Sequence, residues 1–339
     1  MRKKVISILI TTAMLVLCAC GNSDKAPQES NQTQVSDNEA TKTDAETQKD
    51  ETNDASPSAN LPTTDPSGAE ISIPEQIDSI VVLAPSLSEI VTAFGMGDKV
   101  IGYDSYSVGV EGLPMDVPTF EITNPDMEQL AALNPDVLLV SNETLYDQES
   151  PYQSLTDTGT CVICVPNSDS IADIKSDIEF LASALGASDA GSSLLNDFDT
   201  QLNEMAEIAS SIPEDERKQV YFEIAPAPNM YSFGNGVFLN EMIEWVGAEN
   251  ILADQEGWMT VDGETIVAAN PDVIFTNADY MDDPVQEILD RDGWADISAV
   301  VTKNVYCIDN NTSSQPNHNI VKAMRQMAEL LYPDYYAAK

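Results

Sequence analysis

The 339-residue sequence holds one histidine, His318, and only 15 lysines and arginines against 57 aspartates and glutamates. One histidine cannot supply the several imidazole and carboxylate ligands that direct capture of zinc or manganese needs. So few bases, with a formal net charge of −42, exclude nucleic acid as a partner, because phosphate neutralisation requires clustered Lys and Arg. The acidity reads as solubility in an exposed setting. No internal apolar run approaches the roughly 20 residues of a membrane-spanning helix, so a membrane channel must be another chain. A G-x-S-x-G elbow, a Cys–His pairing and a phosphate loop are all missing, and no spacing singles out a carboxylate pair for acid–base work. Cysteine is sparse too. Two of the five, Cys18 and Cys20, lie near the amino terminus. Cys161 and Cys164 sit three apart in a strand-like run, which points them to opposite faces. With Cys307 they read as small buried hydrophobes rather than as a disulfide or redox pair.

What is present begins with Arg2, Lys3 and Lys4, followed by an apolar run from Val5 to Leu17. This basic start and short apolar stretch have the shape of an export signal. The run closes on Leu17-Cys18-Ala19-Cys20-Gly21, which resembles the lipobox of bacterial lipoproteins. That resemblance implies a signal over residues 1–20 and a lipid on Cys20; an ordinary secretory signal is the other reading. Residues 21–69 are Ser, Thr, Asn, Gln, Asp, Glu and Ala with almost no large apolar side chain. They are expected to form a disordered tether, spanning roughly 35–40 Å as a flexible coil.

From residue 70 onward, short apolar strands alternate with amphipathic helices, the pattern of an α/β protein. A strand over 79–84 is followed by Pro85 and a helix in which Ser86 and Glu89 are spaced as a capping box. Between Ser188 and Ile212, apolar residues fall at Leu194, Leu195, Phe198, Leu202, Met205, Ile208 and Ile212, so a long helix is expected there, stopped by Pro213. One unit occurs on both sides of it. Glu128–Asp136 reads EQLAALNPD before VLLV, and Glu264–Asp272 reads ETIVAANPD before VIFT. A repeated helix–turn–strand flanking one helix predicts an amino-terminal lobe over 70–187, a bridging helix over 188–212 and a carboxyl-terminal lobe over 213–339. Each lobe is expected to be Rossmann-like, with a central and mainly parallel sheet.

The stretches Ile80–Glu89 (IVVLAPSLSE), Met96–Gly102 (MGDKVIG), the two Asn-Pro-Asp units and Gly247–Ile251 (GAENI) resemble the substrate-binding proteins of iron-siderophore and vitamin B12 ABC importers. The resemblance runs over about residues 70–335. It implies a monomeric, non-enzymatic receptor on the outer face of the cytoplasmic membrane, in a Gram-positive envelope, that hands a small chelate to a permease dimer with its ATPase. It assigns permease docking to Glu128 and Glu264, one per repeat. Their second reading is an acid near a helix start, worth only ~0.3–1 kcal/mol. It places Tyr106, Phe120, Tyr231, Trp258 and Ser314 around the ligand, with core packing as the other reading for Phe120; Tyr103, Phe233 and Tyr280 are lesser candidates. No cofactor is expected beyond a ligand that itself carries cobalt or iron. Outside the amino terminus the only arginines are Arg217, Arg291 and Arg325, none in a cleft motif, and the loop Asn310–His318 offers amides and hydroxyls. That favours a neutral corrinoid over an anionic chelate, with a ferric siderophore or haem as alternatives. An extracellular sensor or enzyme on the same fold is the rival class. His318 is expected to be a surface or hydrogen-bonded residue rather than a ligand to the chelated metal.

Overall fold

The computed structural model describes residues 61–144 and 151–336, which belong to one compact unit. Cys20, the expected signal and most of the expected tether lie outside the described residues. The first half runs β1 (Ile80–Leu83), α1 (Pro85–Ala93), β2 (Val100–Asp104), β3 (Thr119–Phe120), α2 (Met127–Leu133), β4 (Val137–Val140), α3 (Gln153–Thr156), β5 (Cys161–Cys164) and α4 (Ile171–Ala184). Its strands form one parallel sheet in the order β3-β2-β1-β4-β5. Helix α5 (Ser188–Ser210) follows. The second half contains β6 (Gln219–Glu223), β7 (Tyr231–Phe233), α6 (Phe238–Trp245), β8 (Glu249–Asn250), β9 (Trp258–Thr260), α7 (Gly263–Ala269) and β10 (Val273–Thr276). It ends with α8 (Pro284–Leu289), α9 (Ser298–Thr302), β11 (Val305–Cys307), α10 (Asn310–Ser314), α11 (Ile320–Leu331) and α12 (Pro333–Tyr336). Here the parallel sheet has the order β11-β10-β6-β8, and β7 and β9 form a separate antiparallel pair.

Both parallel sheets are buried on two faces, as near-continuous apolar strands require. Side chains alternate along β1: Ile80 and Val82 enter one core and Val81 and Leu83 another. The same alternation separates Val220 and Phe222 from Tyr221 on β6. The inner faces of the two sheets share a single continuous core, to which α5 contributes Phe198, Leu202 and Met205. Cys161 and Cys164 lie in different cores, on opposite faces of β5, and burial pushes both thiols up to about 11.

The repeated unit has the same construction twice. Asp126 caps α2, its Oδ1 accepting from the N–H groups of Glu128 and Gln129, both at 3.0 Å; Asp262 caps α7 through the N–H of Thr265 at 2.8 Å. Each helix stops at an asparagine in the left-handed region, Asn134 (φ 46°) and Asn270 (φ 51°). The aspartate after the proline then ties the strand's start to its neighbour. Asp136 accepts from the N–H groups of Asp78 and Ser79, and Asp272 from that of Gln219.

Three expectations need correction. The capping box is not formed: α1 starts at Pro85 with Ala84 as its cap residue and no side-chain cap, because proline already presets the helical φ at the first position. The long helix ends at Ser210, two residues early. The tether does not extend to residue 69. Asp65 is buried, with its Oδ1 accepting from the N–H groups of Ser67 and Ala69 and its Oδ2 from the N–H of Cys164, so residues 61–69 pack along the open edge of β5.

Because one core spans both sheets, Phe198→Ala should cost about 3–5 kcal/mol and lower the unfolding midpoint of both halves together. Urea unfolding followed by far-ultraviolet circular dichroism and by tryptophan emission checks this; two separated transitions in the wild type would contradict it.

Candidate ligand-binding groove

In a parallel sheet the loops after the strands collect at one end, and binding sites form there. Ala84, Pro85 and Ser86 follow β1, Tyr106 follows β2, and Ser141 and Glu143 follow β4. All of them line a depression of about 370 Å³ together with Asn310, Asn311, Ser314 and Gln315 of the second half. An adjoining depression of about 310 Å³ shares Glu143, Asn167, Ser314 and Pro316 and adds Asp169, Ile224, Phe238 and Trp258. The two make a groove between the halves. Among the described residues, no lysine or arginine lines it.

Tyr106, 70 % exposed, stands in the groove wall on a turn built by Asp104. The Oδ1 of Asp104 accepts from the N–H groups of Tyr106 (2.9 Å) and Ser107 (3.0 Å), while the Ser107 hydroxyl donates to Oδ2 and lies 2.9 Å from that of Ser88. Burial pushes the Asp104 carboxyl above its ordinary range, against the pull of these hydrogen bonds. Trp258 is 43 % exposed; Tyr231 lies parallel to it, with ring centroids 6.2 Å apart and planes 3° apart, and Phe233 meets its ring edge-on. The opposite wall is anchored by Asn277, whose Nδ2 donates to the hydroxyls of Ser313 (3.1 Å) and Ser314 (3.0 Å) and whose backbone carbonyl accepts from Asn310 Nδ2 at 2.6 Å. Among the described residues, two hydrogen bonds cross between the halves outside α5. Asn319 Nδ2 donates to Glu89 Oε2 at 3.0 Å, and the N–H of Ile171 donates to Glu241 Oε2 at 2.7 Å.

Of the residues expected at the ligand, Tyr106, Trp258 and Ser314 line the groove. Tyr231 does not; it is half-buried behind Trp258. Phe120 is a core residue, buried against Gly102, where a Cβ would come within 2.9 Å of its ring. Its position on a two-residue edge strand turns it inward. Tyr103 and Phe233 are likewise buried, and Tyr280 is exposed but lines neither depression. Glu143, Asn167 and Asp169 were missed, since no motif marks them; their signal is only that they follow β4 and β5. Glu128 and Glu264 occupy the same exposed position near the amino ends of α2 and α7. Each helix runs back to the start of its strand, so its amino end points to the same end of the sheet as the groove. His318 is half-buried, and its Nδ1 is buried with no hydrogen-bond partner among the described residues.

Residues 80–312 match the periplasmic binding protein family. The chain belongs to it. The family consists of solute-binding proteins, so this protein captures a solute and is not an enzyme. Among its relatives, the uncharacterized ABC transporter substrate-binding lipoprotein YvrC of Bacillus subtilis is 32 % identical over 278 residues, covering 80 % of this chain and 85 % of that one. The cobalamin-binding protein of Halobacterium salinarum is 24 % identical over 291 residues, covering 82 % and 76 %. The solved periplasmic heme-binding protein RhuT from Roseiflexus sp. RS-1, in its apo form, superimposes with a TM-score of 0.67 at 21 % identity, over 77 % of this chain and all of that one. The α/β fold with its parallel sheets is the fold of these neighbours.

Burial holds the His318 pKa down at about 4, helped by the charge of Lys322. The unfolded chain protonates this histidine near pH 6.5, so between 6.5 and 4 it binds a proton that the fold does not. Stability must therefore fall as pH drops through that window. His318→Gln lacks this loss, so its melting temperature should gain on the wild type's as pH falls from 7 to 4.5; a constant difference would show that the imidazole is not held neutral.

Proposed function

We propose that the protein is the ligand-capturing lipoprotein of an ABC importer and that its ligand is a neutral, amide-rich metal chelate, a corrinoid in the first instance. Cys20 carries the lipid that holds it at the outer face of the cytoplasmic membrane. No helix among the described residues is long and apolar enough to cross a membrane. The names of the Bacillus subtilis and Halobacterium salinarum relatives support the transport role and the corrinoid respectively.

The observation that carries the ligand class is the chemistry of the groove. Its charged lining residues are carboxylates, Glu143 and Asp169, while Asn167, Asn310, Asn311 and Gln315 offer amides and Trp258 a broad apolar face. An anionic catecholate chelate or the carboxylates of a haem would meet like charge with no arginine to compensate. A corrinoid presents carboxamides, whose N–H groups suit carboxylate and amide acceptors, around a flat macrocycle that suits an indole. A neutral ferric hydroxamate fits the same lining and is the second reading. Delivery then uses Glu128 and Glu264, one exposed carboxylate on each half, against matching basic groups of a two-subunit permease.

Titration of the chain from Gly21 onward with cyanocobalamin, haem, a ferric hydroxamate and a ferric catecholate, followed by tryptophan quenching, tests the ligand. Saturable quenching by cyanocobalamin and none by the catecholate is expected, with Trp258→Ala weakening binding at least about tenfold, equivalent to ~1.4 kcal/mol. Saturation by the catecholate or haem alone would overturn the corrinoid reading. Charge reversal at both Glu128 and Glu264 should abolish uptake in cells while leaving this titration unchanged; normal uptake would remove their docking role.

A further inference from the structure

Behind α7 lies a buried ion pair that ligand capture does not use. Arg291 donates to both oxygens of Glu223, Nη1 to Oε2 at 2.6 Å and Nη2 to Oε1 at 2.9 Å, and its Nε donates to Glu287 at 3.1 Å. The Glu223 side chain is 1 % exposed and that of Arg291 8 %. The guanidinium carbon sits 4.3 Å over the Trp294 ring, and Tyr221 meets that ring edge-on at 6.2 Å. Taking two charges out of water costs several kcal/mol per ion, so a buried pair is poor evidence of stability by itself. What this pair does is positional: it fixes residues 291–294 with the indole turned onto α7. A Cβ on Gly263 would come within 3.2 Å of Trp294 Nε1, so a residue without a side chain lets helix and ring lie this close.

On the outer side of that contact Val267, Ala268, Gly293 and Trp294 line a depression of about 440 Å³, flanked by the carboxylates of Glu264 and Asp292. Val267 stands one turn after Glu264 on the same helix face and is 41 % exposed. We propose that this depression is a second element of the permease-docking site, receiving one apolar side chain of the permease that stands beside the basic group paired with Glu264. The proposal rests on the docking role given to Glu264 above. Charge complementarity names the occupant: two carboxylates around an apolar floor match a cation next to an aliphatic or aromatic side chain. The repeat sharpens the point. The positions of Val267 and Ala268 in α7 correspond to Ala131 and Ala132 in α2, so the two halves share the glutamate and differ in the side chain one turn on. Two equal permease subunits would meet two equal charges but two unequal seats, so docking makes the two subunits inequivalent.

The test uses the lipidated protein with its own permease and ATPase in proteoliposomes, reading ATP hydrolysis against binding-protein concentration. Val267→Asp should raise the half-saturating concentration at least about tenfold, with the melting temperature and the cyanocobalamin titration unchanged. Met115→Asp, at an apolar side chain exposed on the β2–β3 connection, should leave it unchanged. Glu128→Gln and Glu264→Gln, measured alongside, report on the docking glutamates independently. If both glutamate variants weaken stimulation and Val267→Asp does not, the apolar seat is overturned and the docking role stands. If Val267→Asp weakens it and the glutamate variants do not, the Glu264 role falls and with it the seat as a neighbour of a Glu264-paired cation. Equal weakening by Met115→Asp would mean that added charge alone is responsible, which also overturns the seat.

Discussion

The inward face of α5 sets the terms for everything else. Phe198, Leu202 and Met205 enter a core that continues without interruption from the inner face of the first sheet to that of the second. A helix packed into one core on both sides acts as a strut, because close-packed interiors resist continuous deformation. The hydrogen bonds from Asn319 to Glu89 and from Ile171 to Glu241 add polar ties across the halves near the groove. The width of the groove is therefore set by packing.

The groove walls are built by loops that follow strands, two of them braced from beneath by a buried polar side chain. Asp104 holds the turn that carries Tyr106, and Asn277 holds the loop that carries Ser314. In both cases a carboxylate or amide at the end of a strand satisfies backbone or hydroxyl groups that would otherwise be stranded inside. The exposed residues face solvent while their supports stay hidden, which holds the groove wall in place.

The second half carries a further cluster with the same logic. The Arg291–Glu223 pair lies behind Trp294, and Trp294 lies behind the surface of α7. Buried ions of this kind hold geometry at the expense of desolvation, and here the geometry held is that of an exposed face rather than of the groove. Polar interior groups on this protein thus serve its surfaces, while its stability comes from the apolar sheets and α5.

Much of the architecture was legible in the sequence because it follows from periodicity. Short apolar runs marked β4 and β10, steps of three and four marked α5, and the twin Asn-Pro-Asp units marked two equivalent turns whose asparagines do adopt the left-handed conformation. Patterns of this sort report local structure and burial, which depend on near neighbours. The groove was less legible. Tyr106, Trp258 and Ser314 reached it, but Phe120 turned into the core and Tyr231 went behind Trp258, since an aromatic in a loop or edge strand has the same composition signal whichever way it faces. Glu143, Asn167 and Asp169 carry no motif at all; they meet only because parallel strands deliver their following loops to one end of the sheet. Likewise Asp65 read as one more acid in a polar tether until the open edge of β5 supplied its N–H. Sequence by itself determined the strands, the helices and the two-fold repetition; tertiary structure decided which side chains face each other, because that depends on residues brought together from 99 positions apart, as Asp65 and Cys164 are.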